Sequence, residues 1–276
     1  MMKRALLVLF VSAALVSCSD TRAWKELCGI ESYIVTRPDS ALVELRSIDT
    51  LSFSSKKEKA LYSLLSAMAY DKNYIDTANI DVIGPAVEYY RRHLDRERLM
   101  KSFYYQGIIY ANGGDWESAS RSFLQARELT QYSEDERFKG LVSAGLSRMY
   151  SHSHNAADEL FYAKESQEHF INAGDDYNVW FMDGYIATAY ANTLDWEKSD
   201  SLFSRFRSQD IKDTLQYARF LMNAAKTKIL LPEPRPEECI SLVEESLISD
   251  GVPRSRTSVS MLMHLNCQAK SLRRIS

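Results

Sequence analysis

The sequence predicts an all-α fold of antiparallel helix pairs, and three observations lead to it. Glycine and proline are scarce, 10 and 6 among 276 residues, which leaves few positions for sharp turns. The chain is 45% hydrophobic and 26% charged, a composition typical of a globular protein. A pattern of small and aromatic residues recurs about every 40 residues. Together these features favour long helices joined by short turns and argue against a β-sandwich or barrel.

The first eighteen residues predict a targeting segment. Lys3 and Arg4 precede an apolar run from Ala5 to Ala14. The whole stretch from Ala5 to Ser17 is 13 residues long, whereas a transmembrane helix needs about 20 apolar residues. It ends in Leu15-Val16-Ser17-Cys18. This segment is therefore too short to span a membrane and is expected to be removed from the mature protein.

The ending of this segment resembles the lipobox of bacterial lipoproteins, in which cleavage precedes a cysteine that then carries acyl chains such as palmitate. The resemblance implies that residues 1–17 are a signal peptide and that Cys18 is lipidated. Two or more acyl chains hold a protein stably on a bilayer. We therefore expect a cell-envelope protein that is anchored to the inner or outer membrane without crossing it. The alternative is a plain secretory signal with an incidental cysteine.

The net charge bears on the class of partner, and the cysteine content bears on disulfide bonds. The whole chain has a formal net charge of −3, and loss of Lys3 and Arg4 with the signal peptide makes it about −5. An acidic chain disfavours a nucleic-acid partner. The remaining cysteines, Cys28, Cys239 and Cys267, are too few and scattered for a disulfide framework, so we expect small apolar core residues.

The clearest signal in the chain is an internal repeat. Two segments match at a spacing of 80 residues, and half that offset identifies further copies, so the period is 40. The structural repeat positions are Tyr70, Tyr110, Tyr150 and Tyr190, with Trp116, Trp196, Phe123 and Phe203. The small residues three places before each tyrosine are Ala67, Gly107, Ser147 and Ala187. Small residues let two helices approach, and we expect the aromatic residues to fill the core between successive pairs.

This pattern resembles the tetratricopeptide repeat over residues 38–273. The resemblance implies a right-handed solenoid in which each helix pair buries its apolar face by stacking on the next. Three features depart from the family: the period is 40 instead of about 34, the proline near the repeat end is absent, and the repeat around Tyr150 is degenerate. We expect a lipidated segment with a capping helix at 18–37 and a repeat domain at 38–276.

The register predicts the helices. They are 21–35, 38–48, 56–71 with 83–95, 98–112 with 115–131, 135–151 with 155–173, 177–192 with 195–208, 213–230 with 236–248, and 255–273. The long segment from Asp71 to Ile83 is either an elaborated edge or part of a binding surface. The last helix is either a solenoid cap or half of a further repeat.

The sequence carries no catalytic signature, so we expect neither an enzyme nor a cofactor. Phosphate-binding loops, nucleophile elbows and HExxH are all missing from it. His152 and His154 stand two apart in a predicted turn, but no third ligand lies at metal-binding spacing. We interpret them as exposed turn residues and predict no metal site.

Tetratricopeptide proteins line a concave groove with the first helix of each pair, and the resemblance places a ligand-binding groove on this chain. The implied groove residues are Asn112, His152 and Asn192 near the helix ends, and Ile108, Arg148 and Thr188 after the small residues. Lys72 and Lys228 are weaker candidates. Asparagine can clamp a peptide main chain because its amide both donates and accepts hydrogen bonds. The alternative is that Asn112 and Asn192 are simply helix-end residues.

The sequence therefore predicts a membrane-anchored scaffold that binds a protein or peptide in its groove. Two alternatives stay open. One is a sensory or glycan-binding envelope lipoprotein, for which Tyr74 in the long loop is the candidate contact. The other is the truncated sensor part of a regulator with tetratricopeptide repeats.

Overall fold

A computed structural model describes residues 21–205 and 214–248, and these ranges contain twelve α-helices and no strand. The helices are α1 (Arg22–Tyr33), α2 (Pro38–Ser47), α3 (Lys56–Lys72), α4 (Gly84–His93), α5 (Arg96–Asn112), α6 (Trp116–Leu129), α7 (Glu136–His152), α8 (Ala156–Asn172), α9 (Asp176–Asn192), α10 (Trp196–Arg205), α11 (Thr214–Leu230) and α12 (Pro236–Ile248). Cys18, Cys267 and the predicted last helix lie outside the described residues. The all-α prediction is confirmed.

Capping residues set the 40-residue register. Helices α3, α5, α7 and α9 are each 17 residues long and begin 40 residues apart. Each follows a residue whose side chain accepts a hydrogen bond from a backbone N–H three positions later. These N-cap residues are Ser55, Asp95, Asp135 and Asp175. Such a bond satisfies an amide that has no partner within the helix, so these residues start the helices at regular intervals.

The helix ends repeat as well. The carbonyl oxygens of Tyr70, Tyr150 and Tyr190 each accept a hydrogen bond from the backbone N–H five residues later. Next to that bond the chain adopts a left-handed backbone conformation, with φ of 56° at His154 and 63° at Leu194. This geometry closes the last helical turn and directs the chain into the second helix of the pair.

Contacts divide the chain into two compact units, Met1–Gly113 and Gly114–Ser276, and the boundary between them falls inside the predicted repeat domain at 38–276. In the first unit, α1 to α5 enclose a core of Leu27, Leu45, Leu61, Leu64 and Ile83. In the second, each helix from α6 to α12 contacts its neighbour in sequence, and α9 also contacts α11. Helices that pack with sequence neighbours give each unit a layered, repeat-type architecture.

Aromatic rings packed on bare helix backbone form much of the core of the second unit. A Cβ atom built on Gly145 would lie 2.7 Å from the Phe123 ring, and one on Gly184 would lie 2.6 Å from the Phe220 ring. Phe123 is fully buried and Phe220 is 1% exposed. Only glycine allows rings to approach the helix axis this closely, so these pairs fix the spacing of successive helices.

The repeat aromatic residues are less buried than the sequence suggested. Phe123 and Phe203 lie in the core as expected, but Trp116 is 40% exposed, so its core assignment is wrong. Trp116 is the first residue of α6. Trp196 and the four repeat tyrosines are half-buried.

The tyrosines are partly exposed because each lies in the last turn of its helix, at the edge of the stack. The Tyr150 ring stacks on Tyr162, with 5.3 Å between centroids and 3° between planes. The Tyr190 ring lies 5.1 Å from the Lys164 ammonium and 5.3 Å from that of Lys198. The tyrosines therefore close the edge of the hydrophobic core with one side towards solvent.

Two further findings concern membrane crossing and cysteine. No helix within residues 21–205 or 214–248 combines the length and hydropathy that a bilayer crossing requires. Cys239 is fully buried in α12, and burial raises the pKa of its thiol to about 11. Cys239 is therefore an inert core residue, as the sequence suggested.

Candidate functional site

The register places the predicted groove residues at equivalent helix positions. Asn112, His152 and Asn192 are the last residues of α5, α7 and α9. Ile108, Arg148 and Thr188 stand four residues earlier on the same helices. Residues four apart lie on one helix face, so each helix presents one such pair. Ile108 and Asn112 belong to the first unit, and the other four belong to the second.

In the first unit, Asn112 contacts the long loop between α3 and α4. Its side-chain amide donates to the carbonyl oxygen of Thr77 at 3.5 Å, a long and weak hydrogen bond. Ile108 is half-buried. Tyr74, the candidate glycan contact in this loop, is 79% exposed with φ of 56°. The loop therefore occupies one hydrogen-bonding group of Asn112 and exposes one aromatic ring.

In the second unit, Asn192 and Thr188 bond to residues of neighbouring helices. The Asn192 amide donates to Glu159 Oε2 on α8 at 3.0 Å. The Thr188 hydroxyl donates to the carbonyl of Gly184 at 2.8 Å and accepts from the Asn223 amide on α11 at 3.1 Å. Both side chains thus help to join successive helices.

His152 also has a partner that the sequence analysis did not identify. Its imidazole stacks on the Trp116 indole, with ring centroids 3.9 Å apart and an interplanar angle of 18°. His154 is exposed in the turn that follows. Over the described ranges, no three His, Cys, Asp or Glu side chains group closely enough to hold a metal ion. The observed role of His152 is to cover one face of the half-exposed Trp116.

Arg148 differs from the other groove residues because one N–H group of its guanidinium has no acceptor. Its Nε atom is buried, and within the described part of the chain it has no hydrogen-bond partner. The rest of the side chain is half-buried. A buried N–H without an acceptor costs free energy that a ligand oxygen could recover. Arg148 is therefore the groove residue with the strongest unused capacity for binding.

The weaker candidate Lys228 is not a groove residue. Its side chain is 7% exposed, and its ammonium lies 2.7 Å from Asp200 Oδ1 and 2.6 Å from Glu238 Oε2. Arg235 forms a further ion pair with Asp200 at 3.1 Å. These contacts tie α10, α11 and α12 together, so the assignment of Lys228 to a binding surface is wrong. Lys72 is half-buried near the end of α3.

Glu159 has a carboxyl group buried beside the predicted groove positions, and it is not among the residues predicted from the sequence. Glu159 is 1% exposed, and its Oε1 atom has no hydrogen-bond partner among the described residues. Burial raises the pKa of this carboxyl, although hydrogen bonds from Asn192 and Ser151 and the charge of His154 oppose the shift. An acidic residue in the first turn of a helix is usually exposed, so nothing in the sequence indicated this burial.

Glu159→Gln is expected to stabilise the protein at pH 7 by about 1 kcal/mol, because it removes a poorly solvated charge. The raised pKa means that folding favours the protonated carboxyl. The wild type should therefore lose stability relative to the variant as pH rises from about 4.5, the ordinary value for Glu, through the raised pKa. Urea unfolding at pH 4 to 8 measures the difference.

The matched control is Glu165→Gln on the same helix. Burial alone would raise the pKa of Glu165, but hydrogen bonds from Arg127 and Ser143 outweigh it and lower the pKa. This carboxylate therefore contributes stability above its unfolded pKa, and the control should lose stability at pH 7. Parallel stability profiles for wild type and Glu159→Gln would contradict the assigned burial effect.

Together, the helix register and packing define the class of this protein. It has an all-α, tetratricopeptide-like helical repeat fold. No protein-family model matches the sequence, and no curated protein matches it. Similarity to known proteins is found instead at the level of solved structures.

Solved structures of two other proteins illustrate the similarity in fold. A Rap protein complexed with Competence and Sporulation Factor is 14% identical, with a TM-score of 0.67, over 91% of this chain and 72% of that one. BtubC (BKLC) from P. vanneervenii is 12% identical, with a TM-score of 0.55, over 83% of this chain and 91% of that one. At these identities the similarity establishes the fold alone.

Proposed function

We propose that this chain is a lipid-anchored scaffold of the bacterial cell envelope that binds a protein or peptide through the second unit. The observation that carries the proposal is the buried, unpartnered Nε of Arg148 at a predicted groove position. The similar Rap protein was solved in complex with Competence and Sporulation Factor, which supports a binding role for this fold. The lipobox-like ending at Cys18 supports the anchor.

The chemistry of Arg148 indicates what the partner offers. A guanidinium presents planar N–H donors that match the two oxygens of a carboxylate. Such charge-assisted bonds are stronger than those between neutral groups. The Nε–H is closed to solvent in the folded chain, so the half-buried side chain would turn outward to offer it to a partner carboxylate, from an acidic side chain or a chain terminus. The preferred ligand is therefore a peptide segment that carries a carboxylate.

The test compares partners captured by the wild type and by Arg148→Met, which keeps an apolar stem of similar length but removes the donors. Envelope proteins are cross-linked in cells and recovered with the tagged full chain. We expect at least about tenfold less partner with Arg148→Met, because hydrogen bonds to charged groups contribute roughly 1.5–3 kcal/mol.

Arg121→Met is the matched control. Arg121 is exposed on α6 and forms an ion pair with Glu117 at 2.8 Å, so its loss should leave partner recovery unchanged. The proposal fails if Arg148→Met recovers the same partners in the same amounts as the wild type. Circular dichroism of both variants verifies that neither substitution unfolds the repeats.

A further inference from the structure

Thr21 is attached to the first unit by a buried carboxylate. Glu58 is 2% exposed, and its Oε2 atom accepts from the backbone N–H groups of Ser54 at 2.8 Å and Ser55 at 2.9 Å. Its Oε1 atom accepts from the Thr21 hydroxyl. These bonds hold Thr21, the first described residue, against the first turn of α3.

That same turn carries three exposed lysines. Glu58 is the acidic residue of the turn, and its carboxylate is already used by the cap. Lys56 and Lys59 form no ion pair with any residue that the structure describes. The Lys57 ammonium lies 3.6 Å from the centre of the Trp24 ring. Lysine and tryptophan are the residues that favour the headgroup region of a bilayer.

Two of these lysines also line a cleft between α3 and α4. Lys56 and Lys59 line a cavity of about 500 Å³ together with residues at both ends of α4. Among these, Arg92 pairs with Glu88 at 3.2 Å, and the His93 ring stacks on Tyr89 at 3.9 Å. Asp81 also lines the cleft. The two lysines and Arg92 outnumber these two acids.

A second cavity, with an acidic lining, borders Thr21. It has a volume of about 720 Å³ and is lined by Thr21, Glu26, Glu44 and Asp49, among others. Arg22 also lines it, but pairs with Glu26 at 2.8 Å. Thr21 therefore borders an acidic cavity and is bonded to the basic turn of α3. An anionic surface next to Thr21 would be attracted by the lysines of that turn and repelled by the acidic cavity.

We infer that the basic side, formed by Trp24, Lys56, Lys57, Lys59 and the α3–α4 cleft, docks on anionic phospholipid headgroups. The inference rests on the proposed lipid anchor, because Cys18 precedes Thr21 by only three residues. Three residues span at most about 11 Å, so a lipidated Cys18 would keep this surface close to the bilayer. Docking would orient the first unit on the membrane and add a second attachment to the acyl chains.

The test uses the unlipidated chain of residues 18–276 with Cys18→Ser, so that binding depends on the surface alone. Its partition onto vesicles of phosphatidylglycerol and phosphatidylcholine is compared with that onto phosphatidylcholine vesicles by co-sedimentation at low salt. We expect selective binding to the anionic vesicles and its loss at high salt. Each lysine near such a surface contributes about fivefold, so Lys56→Glu/Lys59→Glu should weaken binding about 30-fold or more.

Arg121→Glu/Lys164→Glu changes the net charge equally on the second unit and is expected to bind as the wild type does. The inference is overturned if the wild type shows no preference for anionic vesicles, or if this control loses as much binding. Competition by free glycerol phosphate at equal headgroup concentration would also overturn it, because the cleft would then be a site for a small anion.

Lipidation is measured separately, from the mass of the mature protein extracted from membranes. Absence of acyl chains on Cys18 would refute the proposed anchor whatever the vesicle result. Selective vesicle binding in that case would still establish an anion-attracting surface but would remove the reason for its orientation by the anchor. The two failures are therefore distinguishable.

Discussion

Phe123→Ala is expected to lower the free energy of unfolding by about 3–5 kcal/mol, the usual cost of removing a buried phenylalanine ring. The ring is fully buried and lies against the backbone of α7 at Gly145. Its loss leaves a cavity between α6 and α7 that neither helix can fill without moving. Urea unfolding followed by circular dichroism at 222 nm, a wavelength that reports helix content, is the measurement.

Leu124→Ala is the matched control for this substitution. Leu124 is the next residue of α6 and is 40% exposed, so we expect a loss of about 1 kcal/mol or less. Equal losses for the two variants would show that α6 does not present the Phe123 face to the core.

Gly184→Ala is expected to destabilise the second unit by about 1–3 kcal/mol, the usual range for overpacking in a close-packed core. The added Cβ would lie 2.6 Å from the Phe220 ring, which also packs edge-on against Phe181 and Tyr185. With rings on several sides, Phe220 has little room to move. This cost should exceed the gain of about 1 kcal/mol that alanine brings to a helix interior.

The matched control for this prediction is Gly29→Ala in α1. Beyond its chain neighbours and the backbone of its own helix, a Cβ at Gly29 would meet no atom within 4 Å, so only the helix propensity changes. We expect a gain of up to about 1 kcal/mol. The shift in thermal unfolding midpoint should therefore have opposite signs for the two variants. Destabilisation by Gly29→Ala would contradict the open space that the structure shows beside Gly29.

The helices could be predicted closely because their limits depend on local chemistry. The register predicted helices at 98–112 and 177–192, and the structure has Arg96–Asn112 and Asp176–Asn192. Asp95 and Asp175 cap these helices through their own side chains, which a sequence shows directly. The repeat of small residues was equally visible, because close helix contacts need them at fixed positions.

The candidate site was only partly predictable because its contacts depend on how the helices dock. Arg148 and Asn192 were identified by register, but no sequence pattern indicated that Asn192 bonds to Glu159. Lys228 occupied the same register position as Arg148, yet its ion pairs come from α10 and α12. Whether a charged side chain lines a surface or lies buried is set by these neighbours, and they come from other repeats.

The central claim is that aromatic rings resting on bare backbone join successive helix pairs in the second unit. A double-mutant cycle between Gly184→Ala and Phe220→Leu tests it most directly. If the claim holds, Gly184→Ala should cost about 1–3 kcal/mol with Phe220 present, and its cost should disappear or become a gain once Phe220→Leu removes the ring. Equal costs in both backgrounds would show that α9 and α11 are not joined through this contact, contradicting the account of the repeat packing.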